Sequence, residues 1–407
     1  MPIKGTILTV SFVVVFLTAF CLVDVKPVGA TSATENTWST KAPMPITLSN
    51  PKAAALNGKI YVIGAHLGEN KNNSLYEYNP ATNAWAIKKS MLSSRIYFAV
   101  TACENKIYVI GGGLNPQQSH YAEALSNNEA YDPATNTWET KAPMPTARTQ
   151  MEANTVDGKI YVISGRTAGS DSTVTTSEVY DPDTDSWAKK TAIPYPVASY
   201  ASAVVDSKIY IIGGQDEYYT PMNPGFNQIY DTKTDTWMQG AKEPNPAWVS
   251  ESAAATTGVL APKMIYVMGG VPGFAPPLDQ NNAYNPINDS WRVAASLPSN
   301  RSSFAIAVVE DSLYIIGGTT IHFGELTASV EQYIPIGYKT PDPSYEPSEA
   351  SEIPESPSPS PMSTPKLSNK EPFPSSLVAA AFVASAIVAC VSILLYLRKQ
   401  KLEKASL

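Results

Sequence analysis

The sequence predicts an all-β repeat protein, and three observations lead to this fold class. A short run of β-branched and aromatic residues, closed by small residues, recurs six times. The copies span residues 59–65, 106–112, 159–165, 208–214, 264–270 and 313–318. Such runs are typical of strands buried on both faces, because a half-exposed strand alternates polar and apolar residues. Six copies indicate a fold built from one repeated unit.

The second observation is a fixed spacing between each run and the Trp that precedes it. From this Trp to the first small residue after the run, the distance is 26 residues in five copies and 32 in one. The Trp residues are Trp38, Trp85, Trp138, Trp187, Trp237 and Trp291. The longer copy carries a six-residue insertion, Gly258–Lys263, before Gly269. A constant spacing indicates that most of each unit is structurally fixed.

The third observation concerns a Tyr that stands seven residues before five of these Trp. These residues are Tyr78, Tyr131, Tyr180, Tyr230 and Tyr284. The distance from the small residues to the next Tyr is not constant and runs from 14 to 20 residues. One connection in each unit therefore varies in length while the remainder is held, as expected of surface loops that carry function.

The clearest copy of the unit is Tyr131–Trp138, which reads Tyr-Asp-Pro-Ala-Thr-Asn-Thr-Trp, followed by Ala142–Pro145 with the sequence Ala-Pro-Met-Pro. Together with the apolar run and its Gly pair, these residues resemble the kelch repeat. The resemblance covers about Asn36 to Pro335. It implies a six-bladed β-propeller, with one four-stranded antiparallel blade for each repeat.

Two unpaired aromatic residues indicate how the ring closes. Tyr333 has no Trp seven residues later, and Trp38 has no Tyr before it. We therefore expect the N-terminal strand, residues 36–43, to complete the blade formed by residues 301–335. Such closure leaves no long sheet edge exposed at the seam. The Tyr and Trp side chains are expected to pack between blades.

Composition limits the classes of partner. The chain has 407 residues, 16% of them charged, and a formal net charge of −7. The repeat region, which we place at residues 31–338, has no Lys/Arg cluster, so nucleic acid is not expected as a partner. Cys103 is its single Cys, so the domain is expected to form no internal disulfide.

The N-terminus is predicted to be a signal peptide covering residues 1–30. Lys4 supplies its positive charge, residues 7–23 are apolar, and Val28-Gly29-Ala30 supplies small residues for cleavage. The apolar run is long for a signal peptide, so an uncleaved anchor is the alternative.

The C-terminus is predicted to anchor the protein in a membrane. Residues 339–376 form a Pro-, Ser- and Glu-rich stalk, and Leu377–Leu397 is an uncharged run long enough to cross a bilayer. The tail, residues 398–407, is basic, which places it in the cytoplasm and the propeller outside the cell. This arrangement is similar to the C-termini of archaeal and bacterial cell-surface proteins.

Function is expected in the loops of variable length. In the kelch family the strands a to d of a blade run outward from the axis, and the b–c and d–a loops share one face. Four of the six Arg residues map to that face, namely Arg95, Arg148, Arg166 and Arg301. Arg suits two-pronged contact with a carboxylate or phosphate, which predicts an anionic ligand. The alternative is that the recurring Arg residues pair with neighbouring blades.

Aromatic residues also map to this face. The predicted ligand contacts are Tyr121, Tyr218, Tyr219, Trp248 and Phe274, and the neighbouring loops carry Tyr195 and Phe226. Exposed aromatic side chains stack on sugar rings or anchor a protein partner. The alternative is that they pack on the rim of the ring.

The three His residues are weak candidates for a metal site. His66, His120 and His322 all map to the loop face, but their spacing matches no metal-binding motif. We therefore predict no metal, no cofactor and no catalytic residue.

Two functions are compatible with these features. The first is a surface-anchored binding module for a protein or glycan ligand. The second is an exported carbohydrate-active enzyme that resembles the kelch-type sialic-acid mutarotases. The enzyme hypothesis draws on acidic loop residues, namely Glu69, Glu123, Asp216, Glu217 and Glu325. The stalk favours the binding module, because it presents a domain away from the membrane.

Overall fold

A computed structural model of the chain describes residues 34–65, 73–114, 123–167, 172–215, 226–244, 249–250, 252–272, 276–321 and 325–339. In these ranges the regular secondary structure is entirely β. Six antiparallel sheets have four strands each, which confirms the predicted six-bladed propeller. The predicted signal peptide and membrane span lie outside the described residues, as does the predicted stalk apart from its first residue, Lys339.

The strands of the first three blades follow β1 (Thr37–Lys41). Blade 1 contains β2 (Ser49–Leu56), β3 (Lys59–Ala65), β4 (Ser74–Asn79) and β5 (Ala84–Lys88). Blade 2 contains β6 (Ala99–Cys103), β7 (Lys106–Ile110), β8 (Asn128–Asp132) and β9 (Thr137–Lys141). Blade 3 contains β10 (Glu152–Val156), β11 (Lys159–Ile163), β12 (Ser177–Asp181) and β13 (Ser186–Lys190).

The other three blades complete the ring. Blade 4 contains β14 (Ala201–Val205), β15 (Lys208–Ile212), β16 (Asn227–Asp231) and β17 (Thr236–Gln239). Two short strands, β18 (Val249–Ser250) and β21 (Val271–Pro272), pair with each other beside blade 5. Blade 5 contains β19 (Ala253–Thr256), β20 (Ile265–Met268), β22 (Asn281–Asn285) and β23 (Ser290–Val293). Blade 6 contains β24 (Ala305–Val309), β25 (Ser312–Ile316) and β26 (Val330–Ile334), with β1 as its outer strand.

The recurring apolar run is the second strand of each blade. In β7 the residues Ile107–Ile110 are all buried, and β11, β15, β20 and β25 follow the same pattern. Both faces of this strand are covered because blades stack face to face around the axis. The burial explains why the run has no alternation of polar residues.

The ring closes through the N-terminal strand. β1 pairs with β26 in antiparallel register, which places Trp38 opposite Tyr333. The Asn36 amide extends the ladder by donating to the Ile334 carbonyl over 2.8 Å. Blade 6 thus joins strands from both ends of the propeller, and its first strand β24 contacts β2 of blade 1.

Each blade is fastened to the preceding one by one Asn or Asp directly before its outer strand. In blade 2 this residue is Asn136, whose Oδ1 accepts a hydrogen bond from the Tyr131 hydroxyl and another from the Lys89 amide of blade 1. Trp138 packs against Tyr131 with ring centroids 5.1 Å apart and donates its indole N–H to the Lys89 carbonyl. A single backbone residue of blade 1 is therefore held through both its N–H and its C=O. We call this arrangement the Tyr–Asx–Trp clamp.

The clamp recurs at all six seams. The Asn or Asp residues are Asn36, Asn83, Asn136, Asp185, Asp235 and Asp289. Each has a left-handed backbone with φ between 46 and 56°, a conformation that Asn and Asp tolerate better than most residues. Asn or Asp therefore recurs at this position of the repeat because its side chain must accept the seam hydrogen bonds from a left-handed backbone.

The Gly pair after the second strand also serves the seam. Gly112 has φ of 93°, and its amide donates to the Arg148 carbonyl of the next blade over 2.9 Å. A Cβ on Gly111 would lie 2.7 Å from that same carbonyl oxygen. Small residues are therefore required because the next blade approaches the backbone closely.

No helix within the described ranges combines the length and the hydrophobicity that a membrane span requires. The predicted span, Leu377–Leu397, lies beyond residue 339, where the described part of the chain ends.

The clamp predicts a specific loss of stability for Asn136→Gly. Gly accepts the left-handed backbone, so the substitution isolates the two side-chain hydrogen bonds. We expect the free energy of unfolding to fall by about 1–3 kcal/mol in urea denaturation, since two seam donors lose their acceptor. Asn57→Gly is the matched control: Asn57 is exposed with φ of 51° and should change stability by about 0.5 kcal/mol or less. Equal losses in the two variants would contradict the clamp.

Candidate functional site

The b–c and d–a connections meet on one side of the ring, which we call the loop face. In four blades a backbone bridge joins the two connections, as between Ile96 and Gly113 in blade 2. In blade 5 the bridge is extended into the β18–β21 pair. The bases of the loops are thus tied by backbone hydrogen bonds, and the described part of this face is a braced surface.

Two of the predicted ligand-binding Arg residues are fully buried beneath this face. Arg95 Nη1 lies 2.5 Å from Glu129 Oε1, and Arg148 Nη2 lies 2.6 Å from Glu178 Oε2. Both Arg side chains are 0% exposed. Burial lowers the pKa of each guanidinium, and the facing carboxylate opposes that shift. These charges are neutralised inside the blade, as buried charges must be.

The other two Arg residues are also buried. Arg301 donates to the Gly317 carbonyl over 3.1 Å and to Ser299 Oγ over 2.9 Å. Burial lowers its pKa, and the Glu331 charge opposes this shift. Arg166 is 4% exposed, and its backbone bridges two neighbouring segments of the loop face.

The Arg residues follow a rule across the six blades. Three blades have Arg before strand a and Glu two residues before the Tyr of strand c. These pairs are Arg95 with Glu129, Arg148 with Glu178, and Arg301 with Glu331. The other three blades have an uncharged residue at both positions, namely Leu48 with Tyr76, Val197 with Gln228, and Val249 with Asn282.

The location of these carboxylates corrects the expectation that the recurring Arg residues pair with neighbouring blades. In the two closest pairs the carboxylate belongs to the same blade as the Arg. Contact of these four Arg residues with a ligand stays a prediction, and their burial favours a structural role.

The remaining predicted contacts fall outside the described residues. These are Tyr121, Tyr218, Tyr219, Trp248 and Phe274, together with the metal candidates His66, His120 and His322. Within the described ranges, no group of three His, Cys, Asp or Glu side chains is placed to hold a metal ion.

An exposed aromatic stack marks the loop face at blade 4. Tyr195 is 47% exposed, and its ring stacks on Phe226 with centroids 4.9 Å apart and planes 15° apart. Lys242 Nζ lies 5.4 Å from the centre of the Phe226 ring. Gln228 exchanges hydrogen bonds with both the N–H and the C=O of Tyr195, at 3.0 and 2.9 Å. The Tyr is therefore held in place while its ring faces solvent.

A polar depression lies where the propeller axis meets the loop face. It is lined by residues just before strand a that have left-handed backbones, namely Asn50, Tyr97, Gln150, Ser199 and Ser303. Beneath them Lys52 of blade 1 forms an ion pair with Glu152 of blade 3. The two blades are not adjacent, so the pair crosses the axis. A volume of about 50 Å³ suits water or one side chain and is well below that of drug-sized pockets.

Sequence reasoning missed Lys52 and Glu152, although the repeat contains a signal for them. Comparison of the registers shows Ala at the same position in the other four blades, namely Ala99, Ala201, Ala253 and Ala305. The signal is therefore a charged residue at the position of strand a where the other blades have Ala, next to the propeller axis.

Glu243 is a second charged replacement that sequence reasoning missed. It stands six residues after Trp237, where other repeats carry Met144, Ile193 or Leu297, and it is 4% exposed. Asn282 donates to its carboxyl over 2.7 Å. Burial raises the pKa of Glu243 to about 7, although the hydrogen bond from Asn282 opposes this shift.

Two family profiles match the propeller sequence. The profile of the KLHDC2/KLHL20/DRC7 Kelch-repeats domain matches residues 97–318, and that of the Kelch motif matches residues 47–92. The chain belongs to the kelch-repeat family. Among its relatives, mouse Kelch-like protein 35 is 30% identical over 301 residues, which cover 73% of this chain and 39% of that protein.

Other kelch proteins match shorter stretches. Human Kelch repeat and BTB domain-containing protein 12 is 27% identical over 150 residues, or 33% of this chain and 24% of that protein. This kelch chain thus spans less than two fifths of these relatives' length. Among solved structures, one titled "Structure of YjhT" has a TM-score of 0.61 and 16% identity, covering 71% of this chain and 95% of that one. This likeness shows the fold alone.

The buried Arg–Glu pair predicts that a second substitution restores stability that is lost when Arg148 alone is replaced. Arg148→Val leaves the Glu178 carboxylate buried without its charged partner, and should lower the free energy of unfolding by about 3–5 kcal/mol. Adding Glu178→Gln reproduces the Val197 and Gln228 combination of blade 4 and should restore part of the loss, because the Ser164 and Thr176 carbonyls still lack the donor that Arg148 supplied at 2.7 and 3.1 Å. Urea denaturation measures both effects. A double variant as unstable as the single one would show that Arg148 acts through other contacts.

Proposed function

We propose that this kelch propeller is a surface-anchored module that binds a protein partner through its loop face. Kelch-repeat propellers are typically protein-binding modules. The proposal is carried by the Tyr195 stack, because a large aromatic ring held rigid and exposed loses little conformational entropy on binding. Tyr is also among the residues that dominate binding energy in protein interfaces.

The surroundings of Tyr195 support contact with a protein. Phe226 beneath it is 6% exposed, so the stack is anchored in the domain. Lys242 is exposed beside the stack and adds a positive charge to this part of the loop face. The polar depression at the axis lies on the same face and is large enough for one inserted side chain. An apolar anchor beside polar groups is typical of interface hot spots.

Glycan binding and the carbohydrate-active enzyme remain predictions from the sequence. Of the five acidic residues named for the enzyme, Glu123 and Glu325 are exposed on the loop face. Glu69, Asp216 and Glu217 lie outside the described residues.

Photo-crosslinking tests the binding face. The full chain is expressed in its native cells with p-benzoylphenylalanine at Tyr195, and in a matched variant at Ile87, which is 77% exposed on the outer strand β5. We expect a discrete protein adduct from position 195 that is absent from position 87. Adduct formation from both positions, or from neither, would contradict the proposal.

Surface anchoring is proposed from the leader, the Pro-rich stalk and the apolar run Leu377–Leu397. If the propeller is outside the cell, protease added to intact cells should cut the exposed stalk and release the propeller. Immunoblotting of the supernatant measures the release. A propeller that stays protected until the membrane is permeabilised would contradict the orientation.

A further inference from the structure

We propose a second binding site on the face opposite the loop face, in a groove between blades 4 and 5 that accepts an acidic peptide segment of a partner protein. The groove is lined by a–b and c–d turns of the two blades. Its principal residues are Asp206, Lys208, Asp231, Lys233, Lys263 and Ile287. It is separate from the site assigned to the loop face, so the two proposals can fail independently.

Lys263, the last residue of the predicted insertion Gly258–Lys263, lines one side of the groove. The strand register makes the a–b turn of blade 5 four residues longer than that of blade 2, so two of the six inserted residues lie before strand a instead, which corrects the prediction from the sequence. The Asp311 carboxylate of blade 6 accepts hydrogen bonds from four successive backbone amides, Gly258 to Ala261, over 2.5–3.1 Å. Thr257 Oγ1 also donates to the Pro262 carbonyl over 2.7 Å. The insertion is therefore braced from blade 6, and its last residue, Lys263, is directed back to blade 4, where it pairs with Asp206.

Two lysines of the groove have no carboxylate partner within the described part of the chain. Lys208 begins strand β15 and lies opposite Asp231 in register, yet the two side chains form no ion pair. Asp231 Oδ1 accepts hydrogen bonds from the amides of Lys233 and Thr234 at 3.0 and 3.2 Å, as Asp181 Oδ1 accepts one from the Asp183 amide at 3.1 Å. The equivalent residue of blade 3, Lys159, does pair with its opposite carboxylate, Asp181. Lys208 and Lys233 therefore leave two ammonium groups available.

An apolar surface borders these charges. Ile287 is 84% exposed in the c–d turn of blade 5, with Pro286 beside it, whereas Tyr210 and Val205 form the buried base. An exposed Ile next to unpaired lysines suits a ligand that carries both an apolar group and a negative charge. The groove holds three Lys and two Asp, and this local excess of positive charge would select acidic segments over basic ones, although the whole chain carries a formal net charge of −7.

The size of the groove favours peptide side chains. Its volume is about 230 Å³, below the range of pockets that enclose a drug-sized molecule or cofactor. It is open along the seam, which suits an extended segment that places one apolar side chain on Ile287 and flanking carboxylates on Lys208 and Lys233. The occupant we assign is therefore a peptide with Asp or Glu on both sides of an aliphatic or aromatic residue.

Fluorescence anisotropy with the full chain tests this site. The probes are fluorescein-labelled ten-residue peptides with Glu on both sides of a single Leu or Phe, and matched peptides with Gln in place of Glu. We expect the acidic peptides to bind and the Gln peptides to bind at least tenfold more weakly. Affinity should fall as salt rises, since the charges are near the surface.

The chain offers a matched pair of variants. Lys208→Glu should weaken binding of the acidic peptides about tenfold. Lys159→Glu changes the same position of blade 3, away from the groove, and should leave binding unchanged. Ile287→Asp should weaken binding as well without unfolding the propeller, because Ile287 is 84% exposed, and thermal melting checks this. Absence of peptide binding, equal loss in the two Lys variants, or displacement by citrate as potent as the peptide would overturn the proposal.

Discussion

The Tyr–Asx–Trp clamp is the interaction on which the ring depends. At each seam one backbone residue of the preceding blade gives its N–H to an Asn or Asp and receives an indole N–H at its C=O, as at Lys89 between blades 1 and 2. Each hydrogen bond contributes only about 0.5–1.5 kcal/mol. However, the ring closes only if every seam forms, so the small stabilising contributions of the individual hydrogen bonds act together. Closure at Asn36 and Trp38 uses the same contacts as the internal seams, which explains how a strand from the other end of the propeller replaces a local one.

Because the clamp fixes the seams through backbone groups, side-chain charges are free to differ between blades. The Arg–Glu pairs illustrate this freedom, since blades 2 and 3 contain the pair and blade 4 contains Val197 with Gln228. A buried ion pair often contributes little net stability relative to uncharged residues of similar shape, but removal of one partner is costly. Both positions are therefore expected to change together, and across these six repeats they do.

The sequence was sufficient to predict the blades because their signals are local. The Tyr and Trp that face each other in strands c and d, such as Tyr131 and Trp138, are seven residues apart in the chain. Burial of Arg148 could not be predicted in this way, because its partner Glu178 lies 30 residues away and the pairing depends on how strands a and c are aligned. The ion pair of Lys52 with Glu152 depends on two non-adjacent blades meeting across the axis. The aromatic anchor Tyr195 was identified from its loop, but its stacking on Phe226 required the structure.

The two faces of the ring differ in how they can acquire a site. On the loop face, connections vary in length in every blade, and backbone bridges such as Ile96 with Gly113 hold their bases. On the opposite face most connections are tight turns with left-handed residues, such as Asn57-Gly58 and Asp157-Gly158, which present few side chains. An insertion there leaves several backbone amides without partners unless a neighbouring group accepts them. Asp311 supplies that acceptor from blade 6, so an insertion in blade 5 can be ordered without strands of its own. Lys263 follows this segment, pairs with Asp206 of blade 4 and lines the groove at that seam, while the repeat is otherwise maintained.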